Sequence, residues 1–128
     1  MKKQLFIVDD DQIYRMIVSL MLKRIDPTLH INECENGKLG LTRLQYLKDS
    51  VDSIIVLLDI NMPHVDGWGF LEEIKKSNFY DIKKLTLYMV TSSTDERDIE
   101  RASQYGFVKQ LFHKPLSIEN IKSIIAVT

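Results

Sequence analysis

Four groups of reactive side chains in this 128-residue chain each follow a short apolar run. Asp9, Asp10 and Asp11 follow Leu5–Val8, Asp59 follows Ile54–Leu58, Thr91, Ser92 and Ser93 follow Leu85–Val90, and His113, Lys114 and Pro115 follow Val108–Phe112. Brought to one edge, they would bring together acids, a hydroxyl and an ammonium. Two carboxylates about 4 Å apart repel by roughly 4 kcal/mol at an effective dielectric of 20, and a divalent cation removes that cost. Hard oxygen ligands that leave positions for water suit Mg²⁺. Shielded in this way, the Asp59 carboxylate could approach an anionic phosphoryl donor, with Thr91, Lys114 and the cation on phosphoryl oxygens and an acyl phosphate as product.

Taken singly, most of these residues have plainer explanations. An acidic triplet is commonly a solvated helix entry, Thr91 or Ser92 a turn or cap, and a lone lysine surface. Asp59 is different, because an acid directly after Ile-Ile-Val-Leu-Leu, the pattern of a strand buried on both faces, needs a charge partner or a shifted pKa.

The elements that would position these groups can be read from periodicity. The four runs, with a more polar fifth from Leu29 to Cys34 suited to a sheet edge, alternate with segments of helical spacing, which predicts a (βα)₅ chain around a doubly wound parallel sheet. In such sheets ligands bind beyond the carboxyl ends of the strands, where the reactive residues fall. Ile13, Met16, Ile17, Leu20 and Met21 form an i, i+3, i+4, i+7, i+8 stripe, predicting a first helix that buries this face and stops before Pro27. Leu41, Leu44 and Leu47 mark a second helix after Asn36-Gly37. Trp68, Phe70, Leu71 and Ile74 mark a third, before a polar loop from Ser77. A fourth, capped by Thr94 or Ser93, carries Asp95, Glu96 and Asp98 at its start and only Ile99 and Ala102 as its apolar stripe. The fifth begins at a Ser117 cap with Ile118, Ile121 and Ile125 on one face.

Composition narrows the function. Seventeen basic against eighteen acidic residues leave a net charge of −1, which removes the electrostatic basis for non-specific nucleic-acid binding. No apolar stretch approaches the roughly 20 residues of a membrane span, and no signal peptide is visible. The single Cys34 permits neither an internal disulfide nor a cysteine zinc cluster, so a buried thiol in a reducing, cytoplasmic compartment is expected. His30, His64 and His113 share no ligand spacing, and no zinc is assigned. Residues 1–128 are read as a single domain, the commonest size for one core.

The motifs Phe6-Ile-Val-Asp-Asp10, Leu58-Asp-Ile-Asn-Met-Pro63 with Asp66-Gly67, Val90-Thr-Ser92 and Lys114-Pro115, in this order over nearly the whole chain, resemble the receiver domains of two-component response regulators. The likeness is to the stand-alone, chemotaxis-regulator type. It implies the flavodoxin-like strand order 2-1-3-4-5, with Asp59 accepting phosphate from a histidine kinase or histidine phosphotransfer protein. It further implies that Asp10, Asp59 and the Asn61 backbone carbonyl ligate Mg²⁺ while Asp9 holds a metal-bound water. Thr91 and Lys114 would sense the phosphoryl group and remodel the face of helix 4, strand 5 and helix 5, which a downstream protein would read. Asn61 and Ser93 would flank the path of hydrolytic water, Gly67 would permit a loop turn, and Lys114-Pro115 would be a cis peptide. Asp11 has no counterpart and is read as a helix cap.

One position departs from the family pattern. The aromatic commonly found three residues before the Lys is Leu111 here, and Phe112, one residue later, should face the opposite side of its strand as core. Trp68 is read as packing at a helix start, where an indole beside the site would report by fluorescence. A Mg²⁺-dependent phosphatase of the haloacid-dehalogenase type is an alternative, but it wants a second acid where Asn61 stands and a nucleophile after the first strand. A flavodoxin-like carrier would set three aspartates against its cofactor's phosphate. A receiver-like module acting by interaction alone is the third alternative, which the intact Asp10, Asp59, Thr91 and Lys114 disfavour.

Overall fold

The structure, a computed structural model, describes residues 3–47, 53–77 and 84–126. Five strands and five helices alternate: β1 Lys3–Val8, α1 Gln12–Ile25, β2 His30–Cys34, α2 Gly37–Leu47, β3 Ser53–Asp59, α3 Gly67–Lys76, β4 Leu85–Thr91, α4 Glu96–Ser103, β5 Val108–His113 and α5 Ile118–Ala126. Most of the polar loop expected from Ser77, residues 78–83, lies outside the described residues. All strand pairs are parallel, in the order β2-β1-β3-β4-β5. This is the doubly wound order that the motifs imply. Burial follows position in the sheet: β3 and β4 are buried almost throughout, whereas the edge strand β2 buries only Cys34 fully and β5 only Phe112.

Strand alternation sorts the core into two layers. Phe6, Val56, Leu58 and Met89 pack with Leu44, Phe70 and Leu71 of α2 and α3. Leu5, Ile7, Leu57 and Val90 pack on the other face with Val18 and Leu22 of α1 and Ile121 and Ile124 of α5. The ladder continues one residue past β1 and β5, through Asp9 N–H to Cys34 O at 3.0 Å and Lys114 N–H to Thr91 O at 2.8 Å. Asp9, Asp59 and Lys114 therefore keep the two-residue phase of Ile7, Leu57 and Phe112, and emerge on the α1/α5 side. Thr91 continues the phase of Met89 and emerges on the α3/α4 side.

The rotation of α1 differs from expectation. Ile13, Met16, Ile17 and Leu20, predicted to be buried, are 65%, 51%, 50% and 65% exposed. The inward face is Tyr14, Val18, Leu22 and Ile25, together with Met21, the residue of the predicted stripe that does pack inward. This helix is apolar around most of its circumference, so two stripes satisfy the same spacing, and periodicity cannot choose between them. Polar ties choose. Asp11 caps the helix by accepting from Ile13 N–H and Tyr14 N–H, and Arg15 reaches inward to Asp9 O at 2.6 Å and Glu33 Oε1 at 3.3 Å.

Smaller corrections have the same origin. The cap of α4 is Asp95, which accepts from Arg97 N–H, rather than Thr94 or Ser93. Ser93 is engaged one step earlier, accepting from Asp95 N–H. Ser117 caps α5 as expected, in a reciprocal pair with Asn120, but the buried face is Ile121 and Ile124, and Ile118 is exposed. Trp68, Phe70, Leu71 and Ile74 of α3 are all buried.

Candidate functional site

At the carboxyl edge of the sheet, Asp9, Asp10 and Asp59 each place a carboxylate oxygen within 4.8 Å of the other two. Asp9 and Asp59 are buried and Asp10 is exposed. One oxygen of Asp9 accepts from Asp11 N–H at 2.8 Å and the other from the Lys114 ammonium at 2.7 Å. The same ammonium lies 3.5 Å from Asp59 Oδ1. Strand order explains the convergence: β1 is hydrogen-bonded to β3, β4 separates β3 from β5, and Lys114 spans that gap from the β5 end.

The electrostatics follow from this crowding. Burial pushes the Asp59 carboxyl up to about 6, with the Asp9 carboxylate adding to the rise and Lys114 and Asn61 N–H opposing it. Burial works against the charged form of Lys114, but Asp9 and Asp59 outweigh it and hold the ammonium above the usual lysine value. The donor set fits a hard divalent cation: the oxygens are close, two of the three are buried, and their mutual repulsion is only partly relieved by one ammonium.

Thr91 ends β4 fully buried, and its Oγ1 accepts from Ser93 N–H at 3.0 Å. Asn61 is exposed beyond β3. The Lys114-Pro115 peptide is cis, as the resemblance implies. Gly67, expected to permit a loop turn, opens α3 where the chain turns back after β3. It does not have a positive φ; instead, a Cβ there would meet Asp59 O at 2.7 Å and Ile60 Cα at 2.8 Å. It is a close-approach glycine that seats α3 against the chain just after β3, secured by Gly67 N–H to Ile60 O at 2.8 Å.

Leu111 is half-buried against the α2/α3/α4 layer. Phe112 lies in the opposite layer with its ring 5.5 Å from that of Tyr88, so the one-residue offset has the consequence expected. Cys34 is a buried free thiol whose ionisation burial disfavours. His30, His64 and His113 do not join the acidic cluster, which contains aspartates only.

Two residues beside the site were not singled out from sequence. Arg15 holds the Asp9 carbonyl, and the Tyr14 ring lies 4.2 Å from the Lys114 ammonium. Burial first, then Asp9 and Asp59, push the Tyr14 phenol well above the ordinary tyrosine range, keeping it protonated. The signal was present in the second apolar stripe of α1, which begins at Tyr14.

This arrangement, five parallel strands with an acidic pocket and a lysine at their carboxyl edge, defines a receiver-type α/β switch domain. The response regulator receiver domain family matches residues 5–126, and the chain belongs to that family. It is 28% identical over 124 residues to a probable chemotaxis protein CheY of Rhizobium etli, covering 97% of this chain and 90% of that protein. It is 34% identical over 118 residues to the sensor histidine kinase CheAY of Helicobacter pylori, covering 92% of this chain but only 14% of that much longer protein. Its fold matches the crystal structure of a two component response regulator from Cytophaga hutchinsonii with a TM-score of 0.86 at 22% identity, covering 99% and 97% of the two chains. Among the described residues, no helix is long and apolar enough to cross a membrane.

Proposed function

We propose that residues 1–128 act as one phosphorylatable receiver, taking a phosphoryl group on Asp59 from a histidine kinase or a histidine phosphotransfer protein. The observation that carries this reading is the placement of Asp59, buried beside Asp9 and Asp10 and 3.5 Å from the Lys114 ammonium. An Asp59 oxygen attacks phosphorus as the phosphorus–nitrogen bond of the donor phosphohistidine breaks, leaving the bonding pair on the imidazole and an acyl phosphate on Asp59. Asp10, Asp59 and the Asn61 carbonyl would hold Mg²⁺ directly and Asp9 through water, and the bound cation would supply charge neutralisation between carboxylate and phosphoryl group. Lys114 offers an ammonium, and Thr91 a hydroxyl, to the phosphoryl oxygens.

The outcome is a change in affinity for a downstream protein at the face of α4, β5 and α5, with no turnover of a separate substrate. A buried free thiol at Cys34 suits the reducing cytoplasm. Intact-mass analysis after incubation with Mg²⁺ and acetyl phosphate tests the reading, run beside Asp59→Asn and a chelator control. A single phosphoryl gain that requires both Asp59 and Mg²⁺ supports it. Equal labelling of Asp59→Asn refutes the acceptor assignment, and no gain with Mg²⁺ bound points to a module acting by interaction alone.

A further inference from the structure

Lys114 is held on three sides, and only two of them are carboxylates. Asp9 binds its ammonium at 2.7 Å, Asp59 lies at 3.5 Å, and the centroid of the Tyr14 ring is 4.2 Å away. The ring comes from α1, the strand partners come from the sheet, and the lysine follows β5, so the contact joins the first and last thirds of the chain. Tyr14 is anchored by the layer containing Val18, Leu22 and Ile121. Its hydroxyl is buried and, among the described residues, has no hydrogen-bond partner. A side chain whose polar tip makes no bond while its π-face meets a cation is placed there by its ring.

We propose that Tyr14 is a positioning residue for phosphoryl transfer, acting through Lys114: its ring forms the third wall of the ammonium pocket and keeps the cation within reach of Asp59. Without that wall, the ammonium has a charge-assisted hydrogen bond to Asp9 and an open side for water, so it settles on Asp9 and hydrates. With the ring present, the half-buried cation is shielded from water on one side and held between the two carboxylates, where a phosphoryl group on Asp59 would meet it. The inference rests on the reading of Asp59 as the acceptor for its kinetic consequence, but not for the contact itself.

The test compares Tyr14→Phe, which keeps the ring, with Tyr14→Met, which keeps apolar bulk for the core and removes the π-face. Each is made in wild type and in a Lys114→Ala background, and thermal melting verifies the fold. A partly desolvated cation–π contact, intermediate between the exposed and fully desolvated cases, corresponds to roughly tenfold in rate. Tyr14→Met is therefore expected to slow acyl-phosphate formation from acetyl phosphate about tenfold, with Tyr14→Phe within about twofold of wild type. In the Lys114→Ala background, Tyr14→Met should change the rate by less than about twofold, which a merely structural role would not produce. The same loss in both backgrounds, or a Tyr14→Phe variant as slow as Tyr14→Met, overturns the proposal.

A second readout does not depend on phosphorylation. The Lys114 ε-methylene protons should be displaced upfield by the ring current in wild type and Tyr14→Phe, and return to the ordinary lysine position in Tyr14→Met. A wild type that shows the displacement but takes no phosphate counts against the proposed function and still supports the clamp. A wild type without the displacement overturns the clamp, whatever its labelling.

Discussion

Asp59→Asn should make the metal-free protein more stable, not less. The native carboxyl is raised from 3.8 to about 6, chiefly by burial and then by Asp9. That shift of roughly two units corresponds to about 3 kcal/mol at 1.36 kcal/mol per unit. The sign follows from linkage: the folded state holds the Asp59 proton more tightly than the unfolded chain does. The contribution of this group is therefore greatest below pH 4, declines as pH rises from about 4 to 6, and remains at its least favourable value above that. An amide carries no charge at any of these pH values and retains similar volume beside Lys114, which keeps its 2.7 Å bond to Asp9. Allowing for relaxation, Asp59→Asn is expected to gain about 1–3 kcal/mol at pH 7.5 in EDTA, or roughly 5–10 °C in melting temperature. Urea unfolding of both proteins from pH 4.5 to 7.5 measures this, and the difference between them should close toward the acid end. Mg²⁺ should then stabilise the wild type by about 2.7 kcal/mol at a hundredfold excess over its dissociation constant, and the variant far less. An Asp59→Asn protein less stable than wild type at pH 7.5 in EDTA, or a gap independent of pH, would refute the assignment of Asp59 as a strained, desolvated carboxylate.

Asp10 is exposed and belongs to the acidic cluster, so Asp10→Asn should lower Mg²⁺ affinity at least about tenfold by calorimetry, with a melting temperature in EDTA no lower than wild type. Gly67→Ala forces a Cβ to within 2.8 Å of main-chain atoms of Asp59 and Ile60; a loss of about 1–3 kcal/mol is expected by urea titration, with weakened Mg²⁺ binding because the end of β3 must shift. Leu22→Ala, at a fully buried position, should cost about 2–5 kcal/mol, whereas Leu20→Ala, 65% exposed, should cost under about 1 kcal/mol. The opposite order in denaturant melts would restore the α1 rotation that its apolar spacing first predicts.

The alternating architecture and the edge where the reactive residues fall were legible because they rest on long-range rules that leave few choices, whereas the strand order followed from the family resemblance. Nearly continuous apolar runs such as Ile54–Leu58 fit interior strands, and parallel strands put their carboxyl ends on one edge, so Asp59 and Lys114 had to share that edge; strand order and the reach of the lysine across β4 bring them together. Helix rotation was less legible because it depends on contacts that spacing does not encode. In α1, Ile13 and Tyr14 begin equally good stripes, and the choice between them falls to Arg15, whose guanidinium holds the Asp9 carbonyl. The Asp95 cap was missed for a related reason. Ser93, Thr94 and Asp95 all make acceptable caps, and the outcome depends on Ser93 being used to hold Asp95 N–H. Gly67 was expected to permit a loop turn, but a sequence shows only that a Cβ is missing and not whether φ or a close neighbour demands it.

The departure at Leu111 changes which parts of this chain can link the acidic pocket to α4. Phe112 cannot substitute for the missing aromatic, since its ring lies against Tyr88 in the α1/α5 layer, on the far side of the sheet from α4. Leu111 does face the α4 layer, but an aliphatic side chain of that size has no ring to swing between an inward and an outward site. What does run from the pocket edge to α4 is a chain of hydrogen bonds: Thr91 Oγ1 accepts from Ser93 N–H, Ser93 Oγ accepts from Asp95 N–H, and Asp95 accepts from Arg97 N–H in the first turn of the helix. A Thr91 hydroxyl that moves toward a new partner pulls on Ser93 N–H, from which it accepts, and the next bond in the series holds the cap of α4. The short, exposed α4, with Ala102 as its one fully buried side chain, has little packing to resist that pull. On the proposed reading of α4 as part of the output face, the link from the pocket therefore lies in the β4–α4 loop rather than in an aromatic rotamer on β5.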